Sequence, residues 1–197
     1  MCPAVENAAA WNKIAYDFAM GALVSLFFYA LIIRLPENQK RRRYKRSLTQ
    51  RYKMFKEDCI GLMLATADGT YDGSFPEQLL DQKRFRDYFK ESVTSSQDRW
   101  ARFCNNLDAY HLKELVKQFE MFRDEISFIL NNVDIPSDQP FEFLKRLSVA
   151  IYAAHDTTLD YDETKGFARF LWEIFSGWNF VTGYHERDII QDMIDAI

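Results

Sequence analysis

Apolar and polar positions change their rhythm twice along the chain. Residues 14–33, IAYDFAMGALVSLFFYALII, carry one charge, Asp17, and the 16 positions from Phe18 to Ile33 are uncharged. An α-helix rises about 1.5 Å per residue, so roughly twenty residues reach across the ~30 Å hydrocarbon core of a bilayer. The run predicts a transmembrane helix, with Trp11 and Tyr16 where an interfacial aromatic belt would lie. Residues before it include Glu6 and only Lys13 as a cation, which is not the basic start of a cleaved signal peptide.

The second rhythm is amphipathic. Pro36 is expected to kink the chain or to open a new helix at its first turn. Beyond it Tyr44, Leu48, Tyr52, Phe55, Cys59 and Leu62/Met63 recur at spacings of three and four. That pattern predicts a helix over 34–66 with one apolar stripe and a basic opposite face, a stalk that enters the following domain at its C-terminal end. ADGTYDGSF, 67–75, predicts a loop. Its aspartates have part of the spacing of a calcium loop, but Leu79 stands where a bidentate Glu is needed and Thr70 replaces an Asp or Asn.

Further on, 77–92 reads as a short helix with Leu79, Leu80, Phe85 and Tyr88/Phe89 inward, and Ser95 and Ser96 are N-cap candidates for the next. Trp100, Phe103, Leu107 and Tyr110 then run at helical spacing. The phase slips near Asp108, and Leu115, Phe119, Phe122, Ile126, Ile129 and Val133 continue. Either one bent helix or two helices with Asp108 as the second cap fits. IPSDQP, 135–140, ends the run. A helix over 139–154 follows with Phe141, Leu144, Leu147 and Ile151 inward, and a last one begins after DYD, 160–162, interrupted at Gly177 and Gly183. No sustained alternation of β-branched residues predicts a sheet. The expected architecture is all-α: an N-terminus outside the cytoplasm (1–13), a membrane helix (14–33), a basic stalk helix (34–66) and a cytoplasmic helical bundle (67–197).

Charge sharpens this division. Residues 34–56 hold ten Lys/Arg against Glu37 alone, net +9, whereas 57–197 hold 14 Lys/Arg against 26 Asp/Glu, net −12. Cations directly after an apolar span predict a cytoplasmic C-terminal side. Lys40, Arg41, Arg42, Arg43, Lys45 and Arg46 would then meet anionic lipid headgroups at about 1 kcal/mol per cation near the surface. The acidic remainder excludes nucleic acid as a partner of the bundle. With 7 Gly and 5 Pro the chain favours long regular elements. Cys2, Cys59 and Cys104 are far apart, with no C-x-x-C, so neither a disulfide framework nor a structural zinc site is expected. Within the span, Gly21 and Ser25 form a small-xxx-small pair that would let two helices approach closely.

YAAHDTTL, 152–159, is the stretch nearest to known chemistry. Its His155-Asp156-Thr157-Thr158 resembles a segment of the histidine acid phosphatases, in which the Asp is the proton donor. That family needs an Arg-His-Gly motif for its nucleophile, and the chain has none. The pair also resembles the His-Asp of the all-α HD-domain metal phosphohydrolases, which would cast His111, His155, Asp156 and Asp192 as metal ligands. The local reading is a helix end: His155 at the last carbonyls, Asp156 to Thr158 as turn formers, and Asp160 or Asp162 capping the next helix. Cys104 and His111 lie seven apart without an evident acid or amide partner, and no phosphate-binding Gly-rich motif occurs.

FARFLWEIFSGWNFVTGY, 167–184, is dense in aromatics even for a core. Trp172, Trp178, Phe180 and Tyr184 are candidates for an exposed patch that binds a protein partner. The leading expectation is a single-pass membrane protein whose cytoplasmic bundle is a tether, scaffold or regulatory module, self-associating or binding another protein, with no metal or cofactor. The alternatives are a membrane-tethered metal-dependent phosphohydrolase and an oligomerising membrane effector.

Overall fold

The computed structural model describes residues 3–94 and 96–197. It is mostly helical and divides into two compact units, Met1–Arg43 and Tyr44–Ile197.

The first unit is built on α1 (Pro3–Tyr29), which passes into a π-helical segment, Ala30–Arg34, before α2 (Leu35–Asp68) begins. Leu35 N–H donates to Ala30 O, one residue farther back than in an α-helix. The reason lies one residue ahead. Pro36 has no N–H and its ring crowds the carbonyl four residues before it, so the widened turn takes up the mismatch. Among the described residues one helix, near the N-terminus, is long and apolar enough to cross a membrane, and none of its apolar stretch is buried. Phe18, for example, is 79% exposed.

In the second unit the expected stalk proves to be core. Leu48, Tyr52, Phe55, Cys59, Ile60, Met63 and Leu64 of α2 are all buried. The Phe55 ring lies 4.8 Å from Phe119, 4.9 Å from Phe122 and 5.8 Å from Phe175, centroid to centroid. The compact domain therefore begins near Tyr44 and not at residue 67.

The phase slip at Asp108 resolves into two helices, α5 (Arg99–Asn106) and α6 (Ala109–Asn132), and the Asp108 carboxylate accepts from His111 N–H at 2.8 Å. Tyr110, expected inward, is 65% exposed, because the new helix restarts the phase. α6 packs against α7 (Asp138–Ala153), and Leu115, Phe122 and Ile129 of the first and Leu144, Leu147 and Ile151 of the second are all buried in the common core. The single helix expected over 77–92 is two, α3 (Phe75–Gln78) and α4 (Gln82–Lys90), because Asp81 caps the second by accepting from Arg84 N–H.

Strand pairing, not expected from the sequence, occurs at two places among the described residues. β1 (Ser92–Thr94) pairs antiparallel with β2 (Gln97–Asp98). After α8 (Tyr161–Ser176), β3 (Trp178–Asn179) pairs with β4 (Gly183–Tyr184), with Trp178 opposite Tyr184. Such short ladders hold too few positions to show a period of two. The cap of α5 is Asp98, which accepts from Ala101 N–H at 2.7 Å. Ser96 lies in the turn before it, and Ser95 is outside the described residues.

The chain ends in α9 (Ile189–Asp195), tied to α2 by a buried polar cluster. The Asp188 carboxylate accepts from Lys56 Nζ at 2.9 Å, from Tyr52 Oη at 2.9 and 3.0 Å, and from the first amides of α9.

Candidate functional site

The aromatics of 167–184 do not form a single buried block. Gly177 closes α8 in the left-handed region at φ 65°, and Gly183 turns the hairpin at φ 77°. A left-handed closure of this kind suits glycine, which has no Cβ to clash. The chain therefore leaves the core direction of α8 and presents Trp178, Phe180 and Tyr184 on a hairpin.

The C-terminal end of α8 is met by α4. Arg86 donates to Ser176 O at 2.6 Å, and Gln82 Nε2 donates to Ile174 O at 3.4 Å. A guanidinium at the negative end of a helix is favourable. The same Arg86 stacks on the Tyr184 ring, 4.7 Å from its centroid, so one side chain holds both the helix end and the hairpin.

Beside this hairpin lies a groove of about 790 Å³. Its walls are Trp100 and Cys104 of α5, Ala168 and Trp172 of α8, and Trp178 and Tyr184 of the hairpin. Trp100 and Trp172 pack at 4.8 Å, with Phe85 behind both. Aromatic and aliphatic side chains make up most of its surface, with Asn105 and Thr164 among the polar ones. Lys165 and Arg169 also line it, Lys90 stands over Trp172 and Tyr184, and among the described residues no Asp or Glu lines it. At the hairpin tip Phe180 and Val181 are 86% and 87% exposed.

Three of the four aromatic candidates, Trp172, Trp178 and Tyr184, thus share one groove, and Phe180 is exposed at the hairpin tip with its ring 6.1 Å from that of Trp178. Sequence reasoning left Trp100 among the core positions and did not single out Lys90. Both come from elements distant in the chain, and the helical spacing that marks Trp100 as inward does not show which neighbour it faces.

The HDTT segment is a helix end. Thr157 Oγ1 donates to Ala154 O at 2.8 Å, and Thr158 gives its N–H and its hydroxyl to Glu163, each at 2.7 Å. These bonds hold the Glu163 carboxyl below its usual range. Asp160 caps α8, accepting from Asp162 N–H. His155 pairs with Glu120 of α6, and its Nε2 lies 3.8 Å from Asp156. The expected bond to the last helix carbonyls is replaced by this carboxylate. His111 is held by Asp108 at 2.8 Å, and Asp192 sits on α9. Among the described residues no three His, Cys, Asp or Glu side chains are placed to hold one metal ion.

Burial pushes the Cys104 thiol up to about 12 and raises Cys59 well above its ordinary value, so both are protonated thiols at neutral pH. Gly21 meets nothing within 4 Å where a Cβ would stand, and Ser25 is exposed with it on α1. Of the basic candidates, Lys40, Arg41, Arg42 and Arg43 belong to the first unit and Lys45 and Arg46 to the second. Lys45 reaches the last turn of α9, donating to the Asp195 carbonyl with the Asp195 carboxylate 3.7 Å away. No protein family, curated protein or solved structure matches the chain.

Proposed function

We propose that the chain is a single-pass membrane protein whose acidic helical domain docks another protein through the Trp172/Trp178/Tyr184 groove. In this reading residues 14–33 cross the bilayer, the N-terminus is outside, and the domain is cytoplasmic. The observation that carries it is the pairing of an unburied apolar helix with an aromatic groove that the domain leaves open. Soluble single-chain proteins rarely keep large contiguous apolar surface uncovered, and aromatic residues dominate the energetic centres of interfaces.

The orientation rests on the ten cations of 34–56. Lys40, Arg41, Arg42 and Arg43 then lie at the level of anionic headgroups, and Gly21 and Ser25 offer the span a close-packing face for self-association. The domain would serve as a tether, scaffold or regulatory module held at the membrane surface.

The test is cross-linking of the full chain in its native membranes, followed by affinity purification and mass spectrometry. A stoichiometric partner cross-linked to residues around the groove supports the reading. Recovery of this chain alone, or of partners cross-linked only to 14–46, removes the docking role of the domain. Protease added to sealed cytoplasm-inside vesicles should leave 44–197 intact, and digestion there would reverse the orientation.

A further inference from the structure

We infer that the groove receives an amphipathic segment of the partner whose apolar side chains enter between the tryptophans and whose flanks are acidic. This rests on the docking reading above and adds the chemistry of what docks. The residues 57–197 carry 26 acids and 14 cations, yet among the described residues the groove lining holds Lys165 and Arg169 and no carboxylate. Lys90 adds a third cation, 5.8 Å from the Trp172 centroid and 4.6 Å from that of Tyr184. Among the described residues the acid that pairs with these cations is Glu173, 3.9 Å from Arg169 along α8, an exposed pair of little energetic weight.

Two electrostatic effects compete for an acidic partner. The domain's net −12 repels it at long range. At physiological salt the screening length is about 8 Å, so most of that field is lost before contact. The rim cations then act within a few ångströms of the docked segment, where the attraction is screened least. The near effect wins once the segment is seated, and it selects against a basic one. A helix laid in the groove and running on past Trp178 would also cover Phe180, whose ring lies 6.1 Å from that of Trp178 and is otherwise exposed at the hairpin tip. A small apolar anion would leave that tip bare, and an anionic bilayer would meet the net charge of the whole domain.

The experiment uses the full chain in nanodiscs of zwitterionic lipid. The probes are a helical peptide with a Leu/Phe stripe flanked by Glu, its twin flanked by Lys, and anilinonaphthalene sulfonate as a small apolar anion. Tryptophan emission reports binding. The Glu peptide should bind roughly tenfold or more tightly than the Lys twin. The K90E/K165E double variant, altered only at exposed positions, should reverse that order with unchanged circular dichroism, and Phe180→Ser should weaken the Glu peptide while leaving the dye unmoved. Equal affinity of the two peptides, no binding of either, or binding of the dye alone would each overturn the inference. A partner cross-linked at the groove but through a basic segment would leave the docking reading standing and sink this one. Charge-selective peptide binding without any membrane partner would do the reverse.

Discussion

The buried cluster that fastens α9 makes the sharpest stability prediction. Asp188 accepts from Lys56, Tyr52 and two amides of the helix it caps, and Lys56 also donates to the Leu80 carbonyl, at 2.7 Å, and lies over the Tyr52 ring. The Lys56 side chain is 7% exposed and that of Asp188 19%. Asp188→Ala removes the cap, about 1 kcal/mol. It also strands a buried ammonium with a neutral carbonyl and an aromatic ring, a loss of about 3–5 kcal/mol when such a pair is broken from one side. Because Asp188 keeps some contact with solvent, the lower end applies, and the variant should lose about 3–4 kcal/mol in all. Asp188→Asn keeps a good cap and loses the charge, so about 2 kcal/mol is expected.

Lys56→Met removes the cation without leaving one stranded, and the double variant with Asp188→Asn should cost less than the sum of the singles by about 1–2 kcal/mol. The assay is urea unfolding of the full chain in detergent, followed by tryptophan emission, with hydrogen exchange on 189–195 as the local readout. An Asp188→Ala loss no larger than the cap alone would refute the buried-pair reasoning. So would strict additivity of Lys56→Met and Asp188→Asn, or exchange in α9 that does not quicken.

Other outcomes follow from the same geometry. Gly177→Ala places a Cβ 2.7 Å from Gln82 Cδ at φ 65°, so it should destabilise by at least about 1–2 kcal/mol and shift Trp178 emission; an unchanged denaturation midpoint would contradict the left-handed closure. Asp98→Ala should cost about 1 kcal/mol by thermal melt, whereas Ser96→Ala should cost almost nothing, and the reverse order would move the cap of α5. Cys104 and Tyr88 are held protonated up to about 12 by burial, and Tyr52 and Cys59 are raised too. These groups keep their protons in the fold and lose them when unfolded, so stability should fall as pH rises from the ordinary thiol and phenol values toward 12, and a flat urea midpoint over that window would refute it.

How much was legible in the sequence depends on how local each cause is. The helical run 115–133 and its partner at 139–154 repeat an apolar stripe over several turns, and both appear as α6 and α7. The Asp108 boundary showed as a phase slip because a cap restarts the rotation of the helix. The stripe from Tyr44 to Cys59 was equally plain, but a stripe reports that a face is covered and not what covers it. Flanked by ten cations, it read as a stalk, and residues far away in the chain, Phe119, Phe122 and Phe175 among them, make it core. The α5 cap fell on Asp98 because Ser, Thr and Asp share the same capping chemistry and several candidates lie within one turn. In the site, the aromatic run and the glycines at 177 and 183 were visible. Trp100, Lys90 and Arg86 were not, since they join the groove through tertiary packing.

Arg86 and Lys90 separate two roles that a charge count would merge. Both are cations one turn apart on α4, and both stack on Tyr184. Arg86 is half-buried and bonded to Ser176 O, so its stacking is part of how the hairpin is held. Lys90 is exposed, and its contacts are the two aromatic faces that also line the groove. Replacing Arg86 by Met should therefore loosen the wall and weaken every groove ligand alike, whatever its charge. Replacing Lys90 by Met should leave the wall in place and act on acidic ligands alone, with a smaller salt dependence of their association. The groove's shape is thus tied to the core through α4, while its preference for charge sits at the rim.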